Sequence, residues 1–174
     1  AGKSNALLLE SAEIDSKDDL QSLLMVDAAM RLVCKGNQVI CTALTPNGES
    51  VIPLIEAQRP DNTSVERDGA TVTLTCHAAD DALDEDSRLK AASVFDALRL
   101  LVQKITPIRQ HPHAVFLGGV FAYDLLATFE NLPDVPDGEN DCPDYVFYLA
   151  ETLLTVDHQT RQTRLIGSVF SGPN

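Results

Sequence analysis

Leu9-Glu10-Ser11 places a carboxylate and a hydroxyl side by side at the polar end of a short apolar run. Emerging together beside a helix start, such a pair suits a zwitterionic ligand. The carboxylate takes an ammonium, while the hydroxyl or a backbone N–H takes a carboxylate. Strands that end in polar residues are commonplace, so the pair gains meaning only from its surroundings. A second cluster is Gly118-Gly119 followed by Phe121, Tyr123 and Asp124. A glycine pair within a strand marks a bulge or a close backbone approach, and on its own it specifies no chemistry. His111-Pro112-His113 offers two imidazoles, yet the proline favours extended geometry that sends them to opposite sides, and no thiol or carboxylate lies near in sequence to complete a metal site. Adjacent strand residues also point apart in Cys76-His77, which leaves the imidazole badly placed to take the thiol proton. The acidic run Asp80 to Asp86 lacks the mid-loop glycine and terminal glutamate of a calcium loop and reads as a solvated stretch. Phosphate-loop, dinucleotide, zincin and nucleophile-elbow motifs are all absent.

The elements that must position these groups are legible from hydrophobic periodicity. Leu7-Leu8-Leu9 reads as a buried strand, and Ser16-Lys17-Asp18-Asp19 as the capped start of a helix carrying Leu20, Leu23 and Leu24. From Met25 the period becomes two, with Val26, Ala28, Met30, Leu32 and Cys34 on the inward side. Gly36-Asn37 turns the chain, so residues 26–44 are expected as an antiparallel hairpin. Asn47-Gly48 marks a turn, Glu49 to Ala57 a short helix, and residues 58–70 a polar connection ending in Asp68-Gly69. Val72, Leu74 and Cys76 alternate as the inward face of a strand. Ser93 and Asp96 form a variant capping box for a helix whose apolar face is Val94, Phe95, Leu98, Leu101, Val102 and Ile105. Ala114 to Asp124 is a strand, Leu125 to Glu130 a helical turn, and 131–144 a loop. Tyr145 to Val156 and Thr163 to Phe170 make a closing hairpin. The expected class is α+β: antiparallel sheets packed as a sandwich with a few flanking helices, in one domain over residues 1–174.

The 174 residues carry a net charge of −13, with 44% hydrophobic and 22% charged residues. That composition excludes disorder for want of apolar material, and no apolar run is long enough to span a bilayer. An acidic surface repels phosphate backbones and anionic lipid, so neither nucleic acid nor membrane is an expected partner. Cys34, Cys41, Cys76 and Cys142 match no zinc spacing and are expected as free thiols. With no basic-then-apolar leader in sight, they point to the cytoplasm. The opening Ala1-Gly2-Lys3, without methionine, suggests a fragment or processed product.

The two clusters gain weight together. Leu7-Leu8-Leu9-Glu10-Ser11-Ala12-Glu13-Ile14-Asp15-Ser16-Lys17-Asp18-Asp19-Leu20 resembles the amino-terminal region of anthranilate synthase component I from enteric-type bacteria. The resemblance continues through Leu83-Asp84-Glu85-Asp86, Ser93-Val94-Phe95-Asp96-Ala97 and Phe116 to Leu125. It also takes in Cys142-Pro143-Asp144, Phe147 to Leu153 and Val156-Asp157-His158-Gln159, and so runs nearly end to end.

What the resemblance implies is specific. The family's longer chain converts chorismate to anthranilate and pyruvate with Mg²⁺ and ammonia. The ammonia comes from glutamine through component II, a separate amidotransferase subunit. L-Tryptophan inhibits the reaction, which opens tryptophan biosynthesis. The family's chorismate and Mg²⁺ residues lie in a carboxy-terminal catalytic domain expected beyond Asn174, so no catalytic residue and no metal ligand is assigned here, and this piece alone is expected to be inactive. Its tryptophan motif falls on Leu8, Leu9, Glu10 and Ser11, with Ser11 first, Glu10 as ammonium partner and Leu9 beside them. Gln21 stands where close relatives have a basic residue. Two other readings stay open: the amino-terminal domain of aminodeoxychorismate synthase component I, and a free-standing amino-acid-binding regulator.

Overall fold

The structure, a computed structural model, describes residues 4–10, 20–77, 92–123, 125 and 142–171. Ser11, the helix start at Ser16 to Asp19, the acidic run Asp80 to Asp86, Asp124 and the loop positions 126–141 lie outside the described residues.

Two long strands organise everything else. β2 (Gln21–Lys35) and β7 (Tyr145–Asp157) pair antiparallel along their whole lengths, from Gln21 opposite Asp157 to Cys34 opposite Tyr145. Both are too long for one neighbour to cover, so each outer edge is shared between two shorter strands. β1 (Leu7–Glu10) takes Ser22 to Met25 of β2, and β3 (Gln38–Ala43) takes Met30 to Lys35. On the far side of β7, β6 (Leu117–Phe121) and β8 (Gln162–Gly167) divide the strand in the same way. β5 (Thr71–Cys76) then pairs with β3, and β4 (Thr63–Asp68) with β5. The result is an eight-stranded antiparallel sheet. The α+β class is as the sequence indicates, and the layers expected of a sandwich are two halves of one continuous sheet that shares β2 and β7.

Bulges separate the halves. The β2–β7 register shifts between Met25 and Asp27, again to Ala28, and again to Met30. Each extra residue reverses which side chains face inward. Met30, Leu32 and Cys34 therefore line one core, as the period-two pattern indicates, while Met25 rather than Val26 is buried beyond the bulges. Tyr148 packs against the second core while its neighbours Phe147 and Leu149 pack against the first. Strand alternation places those two cores on opposite faces of the sheet.

The larger core lies under the helices. α1 (Pro46–Glu49) and α2 (Ile52–Ala57) follow β3, and α3 (Asp96–Lys104) precedes β6. Ile52 and Ile55 of α2 meet Ala97, Leu98, Leu100 and Leu101 of α3 over Met30, Leu32, Val39, Val72 and Leu74. Asp96 accepts a hydrogen bond from the Ser93 backbone N–H at 2.7 Å, the reciprocal half of the capping box. Regular helix begins only at Asp96, and Val102 is 54% exposed instead of joining the buried face. The face that fits the sheet runs through Val94, Ala97, Leu98 and Leu101, and Val102 sits one helical step off it.

Three further expectations are corrected. Leu23 and Leu24 belong to β2 and not to a helix, because β1 and β7 pair with them on both sides. Asn47-Gly48 sits inside α1, capped by Thr45, whose hydroxyl accepts the Gly48 N–H at 3.1 Å, and the single helix expected to Ala57 is two short ones. Residues 63–68, read as loop, form β4. This is an edge strand whose Glu66, Arg67 and Asp68 face solvent, the composition that protects a free edge from pairing.

Candidate functional site

β1 carries the candidate binding motif. Leu7 is half-buried, but Leu8 is 56% and Leu9 46% exposed, so the strand is present while its expected burial is not. Among the described residues β1 pairs with β2 alone. Leu7 alone turns into the smaller core, beside Leu23, Phe116, Tyr148 and Ile166.

The two sequence clusters meet at that point. A Cβ on Gly118 would collide with the Leu7 side chain and with the Phe116 ring, so glycine is what lets β1 lie over the start of β6. At Gly119 a Cβ would strike the Val146 carbonyl oxygen and Phe147 of β7. The glycine pair thus marks a close approach of backbones, as its sequence indicates, and no ligand need be invoked for it. Tyr123 lies fully in solvent beyond β6.

At the polar end of β1, Glu10 stands directly opposite Ser22 and Leu9 opposite Leu23. Opposed residues of an antiparallel ladder present their side chains on the same face. Ser22 Oγ is hydrogen-bonded to His158 Nε2 at 2.7 Å, and the His158 N–H donates to the Leu20 carbonyl at 2.9 Å. His158 is held there by the β7–β8 turn. Asp157 Oδ1 accepts the Gln159 and Thr160 N–H groups, each at 2.9 Å. Thr160 chiefly, with Gln159 and the charge of Arg164, holds the Asp157 carboxyl below the usual carboxylate range. The site is therefore a carboxylate on β1, a hydroxyl on β2 and an imidazole on the β7–β8 turn, gathered at one open end of the sheet. Gln21, exposed and opposite Asp157, begins β2 at the same end. Ser22 and His158 were not identified as site residues in the sequence. They lie 136 residues apart, and only the register of three strands brings them together.

Acceptor and donor groups of both kinds, with the exposed Leu8 on the same face of β1, suit an amphipathic zwitterion, whereas Leu9 faces the other side. The other chemistry-bearing groups stay apart from it. His111 and His113 are not thrown to opposite sides: a turn closed by the Ala114 N–H on the His111 carbonyl sets their ring centroids 5.8 Å apart. Among the described residues no three His, Cys, Asp or Glu side chains converge as a metal site requires. Burial pushes the Cys34 and Cys41 thiols from 9.0 up to about 12, so they remain protonated at neutral pH, and Cys76 is raised likewise. His77 is exposed while Cys76 is buried, on opposite sides of the chain as strand alternation requires.

Fold and site define a class: an antiparallel α+β sheet domain with a polar cluster suited to binding at one open end. No protein-family model matches the chain. Curated proteins do. Anthranilate synthase component 1 of Vibrio cholerae is 51% identical over 98% of this chain and 32% of its own length. The component 1 of Escherichia coli is 47% identical over 97% of this chain and 32% of its own, and that of Haemophilus influenzae 43% over 97% and 33%. Over almost all of its residues the chain is a homologue of anthranilate synthase component 1, and it spans about a third of the length of these relatives. Among the described residues no helix is long and apolar enough to cross a membrane.

Proposed function

We propose that this chain is the amino-terminal, tryptophan-sensing part of an anthranilate synthase component I. The observation that carries the reading is sequence identity of 47–51% across 97% of the chain to proteins of that name. The cluster of Glu10, Ser22 and His158 supports the effector assignment. Glu10 takes the ligand ammonium, and Ser11 takes its carboxylate. Leu8, on the same face of β1 as Glu10, offers apolar surface to the indole while Leu9 faces the other side, and His158 fixes the Ser22 hydroxyl beside them. The longer protein converts chorismate and ammonia to anthranilate and pyruvate as a lyase, with component II supplying the ammonia, in the cytoplasm. Mg²⁺ provides charge neutralisation for that reaction and belongs to the catalytic part. This chain alone is expected to turn nothing over.

Regulation follows from differential affinity. Tryptophan biases the longer protein only if it binds one arrangement of the regulatory and catalytic parts more tightly than another. A site at an open sheet end, built from three strands, is sensitive to whatever packs against that end. Calorimetric titration with L-tryptophan, on this chain and on the longer protein, tests the reading. Saturable binding that Ser11→Ala weakens at least tenfold is the expected result. Binding absent from both proteins, or unchanged in the variant, contradicts the assignment.

A further inference from the structure

Within residues 1–174 one asparagine of seven, Asn47, is followed by glycine. Glycine leaves the next backbone nitrogen unhindered, and that makes an asparagine-glycine pair the most prone to deamidation. In that reaction the Gly48 nitrogen attacks Cγ of Asn47. The N–Cγ bond forms, the Cγ–Nδ2 bond breaks, and ammonia leaves with the proton from Gly48. Water then opens the five-membered imide at either carbonyl, giving aspartate or isoaspartate.

Packing requires both residues. A Cβ at Gly48 would strike the Ala29 carbonyl of β2, against which α1 is seated. Asn47 donates from Nδ2 to the Ser168 carbonyl at 2.8 Å and accepts the Phe170 N–H at Oδ1 at 2.7 Å. A carboxamide offers a donor and an acceptor together, whereas a carboxylate offers acceptors only. These two bonds take the place of a strand neighbour for residues 168–170, just past the end of β8. The Ser168 N–H also donates to the Glu151 carbonyl at 2.8 Å, its hydroxyl donates to the Ala114 carbonyl at 3.2 Å, and Phe170 packs against the larger core.

The same contacts oppose the reaction. The Gly48 N–H donates to the Thr45 hydroxyl at 3.1 Å, and that hydroxyl gives its own proton to the Glu151 carboxylate at 2.6 Å. The nucleophile is therefore buried and engaged, and the Asn47 carboxamide is held toward Ser168 and Phe170. We propose that Asn47 is a modification site kept closed by its own hydrogen bonds, a one-way latch. When residues 168–170 lift away, Asn47 loses ammonia, and the product keeps them from returning. An aspartate still accepts the Phe170 N–H but sets a negative charge against the Ser168 carbonyl, and an isoaspartate adds a methylene to the backbone of α1. The inference stands apart from the effector assignment.

Peptide mass spectrometry on the full-length polypeptide that carries residues 1–174 tests it. The protein is held in mildly alkaline buffer, folded or in guanidinium chloride, and conversion of Asn47 to aspartate and isoaspartate is followed with time. Conversion should be at least twentyfold slower in the folded protein. Phe170→Pro removes the N–H that Asn47 holds and should speed conversion of the folded protein at least fivefold. Ser168→Ala frees the segment from the Ala114 carbonyl alone and should at least double the rate, which keeps the test decisive if Phe170→Pro does not fold. Asn47→Asp should speed hydrogen exchange of the Phe170 amide at least tenfold while the amides of β3 keep their protection. The proposal is overturned by conversion equally fast folded and unfolded, or by none even in guanidinium chloride. A folded variant that converts at the unsubstituted rate, or unchanged Phe170 exchange in Asn47→Asp, overturns it as well.

Discussion

Tyr145 shows how much one side chain settles. It is fully buried where β7 begins, and its hydroxyl donates to the Val94 carbonyl at 2.7 Å, tying the entry of α3 to the sheet. Its ring meets Phe95, Phe121 and Phe147 with centroids 5.8–6.4 Å away. Burial chiefly, with the nearby Cys34, Cys41 and Cys76, pushes its phenol far above the usual range. Tyr145→Phe keeps the packing but strands the Val94 carbonyl, so it should cost about 1–2 kcal/mol in urea unfolding. The thiols give a second expectation. Cys34 and Cys41 bind their protons more tightly folded than unfolded, so their contribution is complete below pH 9 and is lost as pH rises toward about 12. The urea midpoint should therefore fall steadily above pH 9, and Cys34→Ala with Cys41→Ala should flatten that fall. Cys142 is exposed and the other three thiols are buried. Of the four cysteines, Cys142 should react first with a thiol reagent in the native protein, and the other three only on unfolding.

At the scale of elements, the β2–β3 hairpin, β5, the β7–β8 hairpin and α3 were legible because each keeps one period and ends on a turn or cap. Gly36, at φ +59°, makes the first turn, and its N–H donates to Asp144 at 2.6 Å, which gives Cys142-Pro143-Asp144 a structural purpose that its sequence does not display. What escaped the sequence is what pairing decides. Leu23-Leu24 suits a helix as well as a strand until β1 and β7 flank it. Thr63 to Asp68 is too polar to betray an edge strand. The bulges at Met25 to Met30 leave no local mark, yet they invert the inward face. The candidate site divides in the same way. Glu10 and Leu9 could be picked out locally, whereas Ser22 and His158 required the register. Gly119→Ala probes this level, since its Cβ would meet the β7 backbone at Val146. The substitution should destabilise by about 2–3 kcal/mol and speed amide exchange along β6 before the rest of the sheet.

For the whole molecule, the continuous sheet brings residues far apart in sequence to one end. The end of β1 and the β7–β8 turn gather the polar cluster there. The central claim is that tryptophan acts through the cluster at the end of β1. Its most direct test is anthranilate fluorescence from the longer protein, followed as L-tryptophan is added, with Ser11→Ala and His158→Ala beside the unsubstituted enzyme. The account predicts that uninhibited turnover stays within about twofold while half-inhibition moves to at least tenfold more tryptophan in Ser11→Ala and by a smaller factor in His158→Ala, about 1.4 kcal/mol of coupling for each factor of ten. Inhibition curves that coincide for all three proteins would contradict it.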